Sequence, residues 1–127
     1  MKFQSDRYFT IFDFFISHGQ LLIRASKNDT YNTNIDILFF DVKFMQLKTY
    51  LSGVSIQRVE DVASNIIDST TNLNLEQIKI FEIESERAKF YVASSFIHVY
   101  ENELEFNETS LGVLTFKGRD KLLFELG

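Results

Sequence analysis

Asp13, Ser17 and His18 fall within one short stretch, FDFFISHGQLLIRAS (Phe12 to Ser26). An acid, a hydroxyl and an imidazole are the parts of a nucleophilic site, which needs nucleophile–base and base–orienter contacts at hydrogen-bond distance. The competing reading is a bend between two strands. Gly19 accepts the positive φ that a tight turn demands. Centring a two-residue turn on His18-Gly19 pairs Ser17 with Gln20, Ile16 with Leu21, Phe15 with Leu22, Phe14 with Ile23 and Asp13 with Arg24. One face gains apolar pairs, and on the other an acid meets a base. Asp13 then lies too far along the strand to orient His18, so the stretch reads as a hairpin.

His98 carries the second candidate chemistry, in FIHVYENELEF (Phe96 to Phe106). Centring a turn on Glu101-Asn102 pairs Val99 with Leu104 and Ile97 with Phe106. The same register sets His98 against Glu105 and Tyr100 against Glu103. A carboxylate can orient an imidazole for proton transfer, and His98 with Glu105 is the best pair of that kind in the chain. The simpler account is a polar cross-strand pair on a sheet face.

Metal and phosphate chemistry find little to work with. There is no Cys, and the two histidines have no H-x-H or H-x-x-x-H spacing. The acids Glu101, Glu103, Glu105 and Glu108 lack the calcium-loop pattern and its Gly, and read as a solvated face that discourages edge aggregation. No G-x-G-x-x-G or Walker-type loop occurs. The expectation is therefore no catalytic residue, no metal ligand set and no cofactor.

Elements to hold these residues are strands. The 127 residues suit one domain, residues 1–127, with no dividing linker. Phe occurs 14 times, Tyr 5 times, and Pro and Trp are absent, a bias towards pleated, half-buried surfaces. IKIFEIESERAKFYV (Ile78 to Val92) reads as a third hairpin centred on Ser85-Glu86. It pairs Glu84 with Arg87, Ile83 with Ala88, Glu82 with Lys89 and Phe81 with Phe90. NIDILFFDVKFMQL (Asn34 to Leu47) reads as one strand apolar on both faces and hence central in its layer. Asp41 and Lys43 on that strand are a surface pair. The end, LGVLTFKGRDKLLFEL, reads as two short strands around Gly118. VEDVASNIIDS has apolar residues at helical spacing and predicts one short helix near 60–67. SKNDTYNTN (26–34) and DSTTNLN (68–74) are loops. The whole predicts a mainly β protein, an antiparallel sandwich or half-open barrel built of hairpins.

SHGQLLIRAS, followed by NIDILFFDVKFMQL and YLSG, resembles small uncharacterised bacterial proteins over about the first 55 residues. The resemblance carries no motif of known chemistry and implies no activity.

Net charge is −5, from 18 acidic and 13 basic residues, and the basic ones are dispersed singly. That argues against nucleic acid as a partner, since phosphate binding draws on clustered cations. Asp6, Arg7 and Asp13 interrupt any secretory apolar run, and no stretch approaches a membrane span, so the expectation is a cytoplasmic protein without a membrane partner.

Three functions follow. The first is a non-enzymatic protein–protein interaction module, an immunity protein against a toxin being one concrete version, with a partner of basic charge. Its contacts would come from exposed segments: Asn28, Asp29 and Tyr31 in loop 26–34, and His98, Tyr100, Glu101, Glu103 and Glu105 in the acidic hairpin. The alternative is a β-barrel carrier whose Phe-rich strands enclose a small apolar ligand. The third is an enzyme using His98 and Glu105. Strands apolar on both faces also leave room for a homodimer.

Overall fold

The computed structural model describes residues 1–62 and 64–127. Among the described residues nine antiparallel strands form one sheet: β1 (Lys2–Phe15), β2 (Gln20–Ala25), β3 (Asn34–Phe40), β4 (Phe44–Gln46), β5 (Tyr50–Val59), β6 (Lys79–Ser85), β7 (Ala88–Ser94), β8 (Phe96–Asn102) and β9 (Lys121–Leu126). Their order across the sheet is β4-β7-β6-β5-β1-β2-β3-β8-β9. The fold is mainly β, as the residue bias predicts.

The sheet curls strongly. β1 carries a bulge towards each neighbour, between Ile11 and Asp13 against β2 and between Ser5 and Tyr8 against β5. Bulges bend a strand and increase its twist, which lets a sheet turn in on itself. Two strand breaks lie side by side. β3 passes through Asp41 (φ 57°) into β4, and β7 passes through Ser95 into β8. At the breaks the Ser95 N–H donates to the Phe40 carbonyl and the Lys43 N–H to the Ala93 carbonyl, both at 2.8 Å. These bonds join the β4–β7 pair to the β3–β8 pair, while the ladder is broken there and β4 and β9 remain edges.

The concave face holds the main core: Phe9, Leu21, Ile23, Ile37, Phe39, Leu51, Ile56, Phe81, Ile83, Val92, Ile97 and Val99. Phe39 and Phe81 come from non-adjacent strands, and their rings meet edge to face at 6.4 Å across the interior. Burying each large side chain contributes about 1.5–3 kcal/mol. The convex face is covered at two places. Ile66 and Leu73 of the 60–78 segment pack on Ile78, Ile80, Tyr91 and Ala93. Leu111 packs on Leu22, Leu38 and Tyr100, and this second cover belongs to the long connection between β8 and β9.

The hairpin registers differ from those that the side-chain pattern predicts. The first hairpin turns through a single 3-10 turn, Ile16–His18, closed by Gly19 at φ 58°. Phe15 therefore pairs with Gln20, Phe14 with Leu21 and Asp13 with Leu22, and after the bulge Thr10 pairs with Arg24. The third hairpin turns one residue later, at Glu86-Arg87, both with positive φ, so Ser85 pairs with Ala88 and Glu84 with Lys89. Residues 34–47 are two strands rather than one. Near Gly118 only β9 forms.

The second hairpin is absent. β8 lies between β3 and β9, and the chain leaves the sheet after Asn102, whose side-chain oxygen accepts the Leu104 N–H. The helix is also displaced, to Ile67–Thr70 (α1), while Ala63 of the expected helix lies outside the described residues. In α1 the Thr70 and Thr71 hydroxyls bond back to the Ile66 and Ile67 carbonyls. Among the described residues no helix is long and apolar enough to cross a membrane.

Candidate functional site

Pairing of β3 with β8 brings the start of one strand beside the end of the other, Asn34 opposite Asn102. Loop 26–33 and residues 101–105, far apart in the chain, thus become neighbours. Thr33 donates its hydroxyl to Glu101 at 2.6 Å, and Lys27 Nζ reaches the Glu103 carbonyl at 2.9 Å and Glu105 at 3.2 Å. Asn34 Nδ2 donates to Asn102 and to the Leu104 carbonyl, at 2.8 and 2.9 Å.

The loop is held from below as well. Arg7 Nη2 donates to the carbonyls of Ala25, Ser26 and Thr33, and its guanidinium lies 4.0 Å from the Tyr31 ring centroid. Asn28 Oδ1 accepts the N–H groups of Thr30 and Tyr31, so its side chain organises the turn while the residue stays exposed. Asp29 stands exposed at the turn.

A groove of about 480 Å³ opens beside these segments, lined by Thr33, Glu101, Glu103, Leu104, Asp120 and Lys121 among others. Lys121 pairs with Glu101. The Lys121 and Thr33 hydrogen bonds, in that order, hold the Glu101 carboxyl below its usual range. Glu103 and Asp120 are exposed and have no ion-pair partner among the described residues. The wall of the groove is thus acidic and solvated.

Beneath the 103–120 connection lies a polar network that sequence pattern did not reveal. Arg24 and Asp36 pair across β2 and β3 at 2.6 Å with almost no solvent exposure. Arg24 also donates to the Glu108 carbonyl at 2.8 Å, and Asp36 accepts from Ser110 and Asn102 at 2.7 and 2.9 Å. Every charge in it is paired, which burial demands. The network fastens the connection to the sheet.

His98 and Tyr100 stand on the convex face of β8. His98 Nδ1 and the Tyr100 hydroxyl are 2.9 Å apart, and His98 Nε2 lies 3.4 Å from Glu125 of β9. The expected partner Glu105 is elsewhere, on Lys27, and Tyr100 lies opposite Asp36 and Leu122, not Glu103. Both pairings fail because β9, rather than 103–106, is the strand beside β8. Burial lowers the His98 pKa, Glu125 opposes that shift and Arg119 adds to it. Burial raises the Tyr100 hydroxyl. A neutral imidazole hydrogen-bonded to a neutral phenol can relay a proton.

At the other end of β1, Ser17 Oγ lies 3.0 Å from His18 Nδ1, but both are exposed and Asp13 Oδ1 instead accepts the Phe14 N–H. Among the described residues no group of three or more His, Cys, Asp or Glu could hold a metal ion. No family model, curated protein or solved structure matches the chain.

Proposed function

We propose that the protein is a non-enzymatic protein–protein interaction module whose acidic groove takes a basic segment of a polypeptide partner. The observation that carries this reading is the convergence of loop 26–33, residues 101–105 and the 118–121 segment on one groove, with Glu103 and Asp120 unpaired at its wall. Both flanking segments are tied down, by Arg7 on one side and by Asn34 and Asn102 on the other. A surface ordered before binding loses less entropy on association, and complementary charge accelerates encounter and selects the partner. Immunity against a basic toxin is one biological form of such a module.

The alternative, a β-barrel carrier of a small apolar ligand, would need room on the concave face, where Phe9, Phe39 and Phe81 are buried in the main core. Native mass spectrometry of the protein gently isolated from its host tests the proposal. A stoichiometric complex with a polypeptide of basic isoelectric point is expected. A bare monomer, a homodimer, or a complex with an acidic partner would contradict it.

A further inference from the structure

A second concavity, of about 370 Å³, opens on the convex face of β8, lined by Phe40, Phe96, His98, Tyr100, Phe116 and Arg119. Its walls are mostly aromatic. Phe40 and Phe96 stack at 4.6 Å, and His98 packs on both, with centroids at 5.4 and 5.0 Å. The Arg119 guanidinium lies between two rings, 5.4 Å from the Phe40 centroid and 5.3 Å from that of Phe116.

Arg119 is a half-buried cation with an incomplete set of partners. Its Nε donates to the Ser110 carbonyl at 2.7 Å and one Nη2 hydrogen to the Gly112 carbonyl at 3.1 Å. Nη1 has no acceptor, and no carboxylate lies within ion-pairing distance, among the described residues. A partly desolvated guanidinium ordinarily finds an anion, often a carboxylate that it can grip through two parallel hydrogen bonds. Glu125 lines a neighbouring recess together with His98, whose Nε2 it approaches at 3.4 Å. Arg119 is therefore the charged group of this concavity, and the size corresponds to the smaller ligand pockets of proteins.

We propose that this concavity binds a small, flat aromatic carboxylate, its ring against the Phe40, Phe96 and Phe116 side chains and its carboxylate on Arg119. Tyr100 and His98 supply a further polar edge. The site is separate from the acidic groove and does not depend on the partner proposed for it.

Benzoate is the probe, with benzamide as a nearly isosteric neutral control, each titrated into ¹⁵N-labelled protein and followed by NMR. Saturable shifts at Tyr100, Phe116 and the Arg119 Nε–H are expected with benzoate, and binding about 10-fold weaker with benzamide. Arg119→Gln should abolish that preference. Because Arg119 also holds the Ser110 and Gly112 carbonyls, Phe116→Ala is the second variant. Phe116 is largely exposed, so folding should survive its loss, and benzoate affinity should fall about 5-fold. Equal affinity for the two probes, no saturation by about 20 mM benzoate, or shifts confined to the acidic groove would overturn the proposal.

Discussion

Arg24 of β2 and Asp36 of β3 form an ion pair at 2.6 Å, with side chains 1% and 0% exposed. Their remaining polar atoms are used to hold the 103–120 connection, through the Glu108 carbonyl and the Ser110 hydroxyl. The pair thus links the sheet to the segment that builds one side of both concavities. Asp36→Ala should leave a buried, uncompensated guanidinium and cost about 3–5 kcal/mol in chemical denaturation. Replacing both members, Arg24→Met with Asp36→Leu, should restore much of that stability. Amide exchange at residues 108–112 should nevertheless remain faster than in the wild type.

Gly19 closes the first turn at φ 58°, and a Cβ there would stand 3.1 Å from the Val42 nitrogen. That nitrogen donates to the Gly19 carbonyl, joining the turn to the β3–β4 kink. Gly19→Ala combines left-handed strain with a close backbone contact. A loss of roughly 1–2 kcal/mol is expected, read as a lower thermal midpoint.

The Glu86-Arg87 turn has φ of 50° and 69°, values that neither residue favours. Asn-Gly suits two-residue turns with positive φ at both central positions. Glu86→Asn with Arg87→Gly should stabilise the protein by about 1 kcal/mol without altering the β6–β7 register. Denaturation and amide exchange across the hairpin measure both effects.

Much of the strand content was legible in composition and alternation. β3 illustrates why: Ile35, Ile37 and Phe39 face the main core, while Leu38 and Phe40 face the 103–120 cover, so both faces needed apolar residues. Register was less legible. Opposite charges prefer to meet across strands, which led from Arg24 to Asp13. The 3-10 turn and the bulge set Arg24 opposite Thr10 on β1, and β3 on its other side brings Asp36. The alternation in VYENELEF imitates a hairpin, but Asn102 turns the chain out of the sheet by accepting the Leu104 N–H. Adjacency of loop 26–33 and the 101–105 acids depends on β3–β8 pairing, a contact between segments far apart in sequence. Arg119 and Asp120 carry no local signal at all, since only the path of the connection places them at a cavity.

Acid should weaken the fold in two stages. His98 binds its proton less readily in the folded chain than its ordinary value of 6.5 implies, mainly through burial, with Arg119 adding and Glu125 opposing. The unfolded chain therefore gains protons first, and stability falls as pH drops below that value. Glu101 has a depressed folded pKa, so its stabilisation is present above 4.5 and is lost as pH falls through the folded value. His98→Gln should remove the first stage and Glu101→Gln the second, in denaturant midpoints measured against pH.

Glu103 and Asp120 are the residues proposed to meet a basic partner at the groove. The most direct measurement is the association rate of the partner recovered by native mass spectrometry, taken for wild type and for Glu103→Lys with Asp120→Lys at low and at physiological salt. Both residues are exposed, so the variant should fold. An association rate at least about 10-fold slower is expected for the variant at low salt, with the gap narrowing as salt rises. Equal rates at both salt concentrations would contradict it.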